Sequence, residues 1–129
     1  MSVLAAEAAQ ILNKAFGATN YTPAATYYIG LRAGGVELTG GSYARVAVTN
    51  NTTNFPNVAG NIMVNGTAIT FPQATADWTT ADEVAIYIAS SGGSPRFAGA
   101  LDNPVTVRTG QTRSFAAGDL KIKIIPLTT

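Results

Sequence analysis

The chain contains no cysteine and no histidine. Without cysteine there is no disulfide framework, thiolate metal site, iron–sulfur cluster or cysteine nucleophile. Without histidine there is no Ser-His-Asp or Cys-His machinery, no imidazole metal site and no imidazole proton shuttle. Charge is also scarce. Asp, Glu, Lys and Arg make up 12% of the residues, against roughly 25% in ordinary soluble domains. A net charge of +1 lacks the basic excess that nucleic-acid binding uses, so no nucleic-acid partner is expected. Long apolar runs are absent too. Met1 to Phe16 carries Glu7 and Lys14 within its apolar stretch and has no basic start. It reads as neither a signal peptide nor a transmembrane helix, so no membrane partner is expected. The lack of cysteine agrees with a reducing compartment.

Thr, Asn, Ser, Gly and Ala stand where the charge would be. Burying an unpaired charge costs far more than burying a hydroxyl that finds a partner. A neutral surface of this kind therefore suits permanent assembly. The length, 129 residues, fits one domain over 1–129, and such a chain buries roughly two-thirds of its unfolded surface without needing a metal or disulfide.

Periodicity divides the chain into a helix and a long β region. Leu4, Ala8, Ile11, Leu12 and Ala15 share one helical face, with Glu7, Gln10, Asn13 and Lys14 mostly opposite, which predicts an amphipathic helix over 1–16. Ser2 is the expected cap, and Gly17 the expected left-handed stop. Strands are predicted at Thr26–Arg32, Val36–Leu38 and Tyr43–Val48, with a polar loop from Thr49 to Asn57. Asn65-Gly66, between Ile62–Val64 and Thr67–Phe71, predicts a type I′ hairpin. Further strands are expected at Glu83–Ala89, with Val84, Ile86 and Ile88 on one face, at Arg96–Leu101 before a break at Asn103-Pro104, and at Val105–Arg108. The last runs over Leu120–Ile125, with Leu120, Ile122 and Ile124 inward and Lys121 and Lys123 outward. The sum is a mainly β fold: an antiparallel β-sandwich or small barrel of about eight strands over 26–125, after one N-terminal α-helix.

Nothing in the sequence assembles a catalytic constellation. The seven acidic residues offer many pairs and single out none for glycosidase chemistry. Asp82 and Glu83 point to opposite faces of a strand. Asp77, Asp82 and Glu83 share a region but lack calcium-loop spacing. Gly40-Gly41 and Gly92-Gly93 lack the lysine and strand–loop–helix setting of a phosphate loop. The Asn50, Asn51 and Asn65 sequons have no secretory route to serve them. Arg108, Arg113, Lys121 and Lys123 read as charges that guard edge strands, and Trp78 as a core residue with its N–H satisfied. No catalytic residue, cofactor or metal is expected.

Several segments carry a family likeness. Gly40-Gly41-Ser42-Tyr43-Ala44-Arg45-Val46-Ala47-Val48 resembles the "GGGYARQAV" segment of small tailed-bacteriophage virion proteins. Ile69 to Trp78, Gly92 to Leu101 and Phe115 to Leu120 are similar to further segments in the same order, as is the helix followed by Tyr27-Tyr28-Ile29-Gly30-Leu31. The chain departs after Trp78, where Thr79-Thr80-Ala81 replaces a frequent glycine, and at Ala85 to Ser90, which replaces a "GIFDA"-like stretch. Members of that family are labelled tail fibre proteins, and similar small β proteins decorate capsids.

The resemblance implies a non-enzymatic virion protein made in the host cytoplasm. The leading expectation is a capsid decoration, or cement, protein on the outer head surface, bound to the major capsid protein as a trimer or a monomer. The alternative is a tail fibre or tail appendage protein that contacts a tail protein or a host receptor. Two surfaces are candidate interfaces. One is the helix, through Leu4 and Ile11, which either docks on the partner or packs on the β domain. The other is the Asn50–Pro56 loop, through Asn51 and an exposed Phe55 acting as anchor.

Overall fold

The computed structural model describes residues 1–17, 20–56, 60 and 62–123. Among them the fold is mainly β, with one helix and ten strands. The chain opens with strand β1 (Ser2–Val3), followed directly by helix α1 (Ala5–Ala15). Strands β2 (Thr26–Ala33), β3 (Val36–Glu37), β4 (Val46–Thr49), β5 (Ile62–Val64) and β6 (Ile69–Thr70) come next. They are followed by β7 (Ala81–Tyr87), β8 (Phe97–Val105), β9 (Ser114–Phe115) and β10 (Lys121–Lys123).

Eight strands form one open sheet in the order β3-β2-β7-β8-β1-β10-β5, with β4 also on β2, and β6 pairs with β9 in a second, two-stranded sheet. The sandwich reading is therefore the nearer one, and the barrel is not closed. All pairings are antiparallel except β1 with β10, where Ser2 lies beside Lys123 in a parallel pair. That exception explains a correction at the N-terminus. Ser2 does not cap the helix; it pairs with Ala98 of β8 and joins the two halves of the sheet. Leu4 takes the cap position without a side-chain hydrogen bond, while Gly17, at φ 70°, does end the helix in the left-handed region.

The β-branched and aromatic run of β2 makes the central strand, with Ile29 and Leu31 fully buried. β7 beside it is buried on both faces. Val84 and Ile86 face a large core that includes Ile69 and Phe115 of the small sheet, while Ala85 and Tyr87 face a smaller cluster with Ala98, Leu4 and Tyr28. Tyr27 and Tyr28 thus serve opposite faces. Ile88, expected inward, lies beyond the end of β7 and is 44% exposed. The large core holds a cluster of aromatic rings. Trp78 stands edge-on to Tyr43 and Phe71 at 5.4 and 6.4 Å between centroids. Its Nε1–H donates to the Gly41 carbonyl at 2.8 Å, as its burial requires.

The Asn65-Gly66 hairpin does not form. β5 pairs with β10 and β6 with β9, so the two flanking strands belong to different sheets. Neither Asn65 nor Gly66 has positive φ. Asn65 instead is 1% exposed and acts as a buried cross-link. Its Nδ2 donates to the Thr67 and Ala116 carbonyls at 2.9 and 3.0 Å, and its Oδ1 accepts from Gly118 and Leu120 N–H at 3.1 and 2.9 Å. A Cβ on Gly66 would collide with the Thr53 carbonyl oxygen, so this glycine is needed for close approach.

Other boundaries shift for local reasons. β4 starts only at Val46, because Tyr43 and Arg45 are engaged by their side chains instead. β8 runs through Asn103-Pro104, which sit in a bulge between the Ala81–Val105 and Glu83–Ala100 pairs, where a proline costs no ladder hydrogen bond. Val105 therefore ends β8 and starts no new strand. In β10, Lys121 and Lys123 point outward as expected, and Ile122 packs on the core. Ile124, Ile125 and Asn57 lie outside the described residues.

Asn65→Gly separates the two accounts of this segment. A surface type I′ turn would accept the change within a few tenths of a kcal/mol. The buried cross-link predicts a loss of about 3 kcal/mol in urea unfolding, because buried N–H and C=O groups are left without partners.

Candidate functional site

Three places combine polar chemistry with a defined geometry. The first lies over the centre of β2. Tyr43 and Arg45, two apart on an extended segment, reach the same side of the sheet and meet Glu37 of β3. Arg45 donates Nε and one Nη to the two Glu37 oxygens at 2.7 and 2.8 Å, and its other Nη to the Ala89 and Gly92 carbonyls at 2.7 and 3.0 Å. Its guanidinium lies 3.4 Å from the centroid of the Tyr87 ring. The Arg45 side chain is 3% exposed.

Tyr43 donates its O–H to Glu37 at 2.9 Å and accepts the Leu31 N–H at 2.9 Å. Residue 30 must be glycine for this to close: a Cβ there would lie 2.8 Å from the Tyr43 hydroxyl and 3.0 Å from the Glu37 carboxylate. Burial raises the Glu37 pKa, but the Arg45 and Tyr43 hydrogen bonds outweigh it and hold the carboxyl below its ordinary value. Burial, with Glu37 adjacent, raises the Tyr43 hydroxyl.

The second place is the seat of α1. The helix is rotated from the expected face: Leu4, Ala8 and Ile11 turn inward, but Leu12 and Ala15 are exposed. Glu7 is its buried residue, whereas Leu12 and Phe16 are 57% and 84% exposed. Glu7 is held by the Tyr21 hydroxyl and by Arg96 at 3.2 Å, in an ion pair whose carboxylate is 3% exposed. Burial, reinforced by Glu7, raises the Tyr21 hydroxyl. Leu4 packs on Ala85, Tyr87 and Ala98, and its N–H donates to the Arg96 carbonyl at 2.8 Å. Ile11 and Glu7 line a half-open cleft of about 520 Å³ whose other walls include Tyr27, Phe55, Met63, Ile86 and Phe97. Leu4 and Ile11, the two helix candidates, thus face the body of the protein.

The third place is the loop after β4. Asn51 is exposed, and its Oδ1 accepts the Thr53 and Asn54 N–H groups at 3.1 and 2.8 Å. The turn so formed swings Phe55 inward, where it is 8% exposed and stands edge-on to Tyr27 at 6.0 Å. The expected exposure of Phe55 is therefore corrected: this side chain belongs to the core. Asn51 and Phe55 share a loop but face opposite ways, and neither meets Leu4.

The acidic residues of the calcium reading are held apart. Asp77 accepts from the N–H and hydroxyl of Thr109, Asp82 from the Gly34 N–H, and Glu83 pairs with Arg32. The Thr109 hydrogen bonds lower the Asp77 pKa. Arg108 approaches Asp77 at 3.7 Å on the exposed surface. Arg113 lies 5.0 Å from the Phe115 ring centroid. Among the described residues no cluster of acidic side chains is placed to hold a metal ion, and no helix is long and apolar enough to cross a membrane.

Sequence reasoning misses both buried ion pairs. The Tyr43–Arg45 spacing signals a shared face, but nothing in the sequence names Glu37 as their partner. The charge of Glu7 places it on the solvent side of a helical wheel, because Arg96 and Tyr21 lie far from it in the chain.

The Glu37 site makes stability depend on pH. Because the folded Glu37 pKa lies below its unfolded value, its contribution is present above the ordinary 4.5 and is lost as pH falls through the folded value. Stability of the wild type therefore drops on acidification in thermal melts between about pH 5 and 3, and Glu37→Gln gives a lower but flatter profile. At the third place, Phe55→Ala lowers unfolding stability by about 3–5 kcal/mol, measured in urea, where an exposed anchor would lose almost none.

No curated protein matches the chain. A family model described as Podophage GP4 fiber I protein gp80 matches residues 2–123. That span takes in the helix, all ten described strands and both buried ion pairs. The fold, the ordered segments and this match agree, and the chain belongs to the podophage GP4 fiber I protein gp80 family of phage virion proteins.

Proposed function

We propose that this chain is a non-enzymatic structural subunit of the tail-fibre apparatus, where it takes part in building the appendage that meets the host. The observation that carries the reading is the fibre-family match over residues 2–123. It favours the tail appendage over the capsid cement protein that is the leading expectation from sequence.

The described surface is in keeping with this role. Its polar interactions are used up in holding the fold: the Arg45 and Arg96 guanidinium groups are turned inward on Glu37 and Glu7. The cleft under α1 is apolar and lacks paired catalytic carboxylates, since its one acid, Glu7, is already bound by Arg96 and Tyr21. What is left for a partner is a neutral face of hydroxyls, amides and small residues, which is readily desolvated. Partners of this kind are a neighbouring tail protein, further copies of the chain, or a host receptor.

Cryo-electron microscopy of the purified particle tests the reading. Density for this β fold is expected on the tail or its fibres. Density on the outer head, bridging capsid subunits with the tail bare, would overturn it and restore the cement role.

A further inference from the structure

Asn65-Gly66 is the only Asn-Gly pair in the chain. Asparagine is a chemically labile residue, and most so before glycine, where no Cβ hinders the next amide nitrogen from reaching the side-chain carbonyl carbon. The fold nevertheless demands both halves of the pair. Asn65 offers an acceptor to the Gly118 and Leu120 N–H groups and a donor to the Thr67 and Ala116 carbonyls. A carboxylate has no donor to give, so aspartate cannot fill both roles. At residue 66 a Cβ would strike the Thr53 carbonyl oxygen and crowd the Pro56 ring.

The same contacts hold the pair inert in the native state. Ring closure requires the Gly66 nitrogen to lose its proton and turn onto Cγ of Asn65. That N–H is engaged by the Asn54 carbonyl at 2.6 Å. The amide it would attack is fixed by four hydrogen bonds and buried, so the water needed afterwards is kept away.

We propose that Asn65-Gly66 is a deamidation site gated by folding: closed in the native chain, open once it unfolds, and barred from refolding after it reacts. In the unfolded chain the Gly66 nitrogen bonds to Cγ of Asn65. The bond from Cγ to Nδ2 breaks, and Nδ2 leaves as ammonia, taking up through water the proton that the Gly66 nitrogen gave up. The five-membered imide then adds one water. Opening at the Cγ carbonyl restores the backbone and leaves aspartate at position 65. Opening at the main-chain carbonyl routes the backbone through Cγ and leaves the carboxylate on Cα. In sum one water enters and one ammonia departs, with no change of oxidation state.

Neither product rebuilds the cross-link. The new carboxylate oxygen would face the Thr67 and Ala116 carbonyls, acceptor against acceptor, with a charge in a buried place. The second product also lengthens the backbone by one carbon between β5 and β6, whose pairings with β10 and β9 fix both ends. Unfolding therefore has a chemical exit. A subunit that stays folded keeps its amide, and one that lingers unfolded is withdrawn from the pool available for assembly. This holds whether the particle carries the chain on its tail or on its head.

The wild-type chain tests the proposal. It is incubated in mildly alkaline buffer, one sample native and one in guanidinium chloride, and the peptide containing residue 65 is followed by mass spectrometry. The unfolded sample should gain about one dalton there, the exchange of NH2 for OH, ahead of its other asparagines. The native sample should react slower by roughly a hundredfold or more, since a native domain opens in only a small fraction of its molecules. On dilution from denaturant, native fluorescence of the single Trp78 should return in proportion to the unreacted fraction, and briefly unfolded chains should recover fully. Asn65→Asp, made directly, should fail to refold, whereas Asn103→Asp, at an exposed position, should refold as the wild type does. Equal rates in the native and unfolded samples overturn the proposal. So do deamidated chains found in the refolded fraction at their full share, or a residue 65 that reacts no faster in denaturant than the other asparagines.

Discussion

The guanidinium of Arg45 is the group on which the sheet's organisation depends. β2 has one continuous partner on one side, β7 along Tyr28–Arg32, but two short ones on the other: β4 along Thr26–Ile29 and β3 along Arg32–Ala33. Between them the Leu31 carbonyl accepts the Leu38 N–H, but the Leu31 N–H has no strand partner. Tyr43 fills that gap by accepting the Leu31 N–H, and it is held there by the carboxylate that Arg45 grips with two parallel hydrogen bonds. The same guanidinium ties down the Ala89 and Gly92 carbonyls of the loop between β7 and β8. A charge this far out of water survives only when its donors are met, and removing one partner of such a pair costs about 3–5 kcal/mol. Gly30 is the enabling residue, since any side chain there would occupy the space of the cluster.

A second constraint follows from the same logic at the other buried ion pair. Glu7 is drawn under α1 by Arg96 and Tyr21, and that fixes the rotation of the helix. Once the carboxylate is inside, helical geometry leaves no choice about Leu12 and Phe16: they must face out. The buried carboxylate sets the rotation of the helix, with Leu4 and Ile11 of the apolar stripe inward beside it and Leu12 outside. The helix is also tied at its start, because β1 lies between β8 and β10 and Leu4 follows it onto Ala85 and Ala98. Its orientation is thus set from two points before any apolar contact is counted.

These two constraints mark where the sequence is legible and where it is not. The long strands are readable, because β2 and β7 are dense in β-branched and aromatic residues whose pattern matches burial. Trp78 is readable as core for the same reason. The Asn65-Gly66 hairpin is a false signal because a distant demand overrides local turn chemistry: the Gly118 and Leu120 N–H groups need an acceptor, and Asn65 supplies it across more than fifty residues. Phe55 misleads because loop composition says nothing of where an Asn51-centred turn aims the residue after it. Of the candidate interface residues, Asn51 is exposed, Leu4 and Ile11 face the body, and Phe55 is buried. Leu12, which periodicity assigns to the inner face, points outward with Phe16. Partners distant in sequence leave no mark in a local window, and the misreadings of Asn65 and Leu12 each turn on one.

The scarcity of charge takes on a sharper meaning once the partners are known. Among the described residues, four ion pairs take eight of the fifteen charged side chains, and Asp82 and Asp119 cap the backbone N–H groups of Gly34 and Ala116. Little charge is left to create a field beyond a Debye length. Such a surface cannot draw a partner from afar, so its contacts are short-ranged and depend on fit. Fit of that kind is effective when copies are already held side by side, because effective concentration then supplies what steering does not. The low charge of the chain and the inward turn of Arg45 and Arg96 are parts of one arrangement: polar interactions fix the fold, and the surface left over carries little free charge.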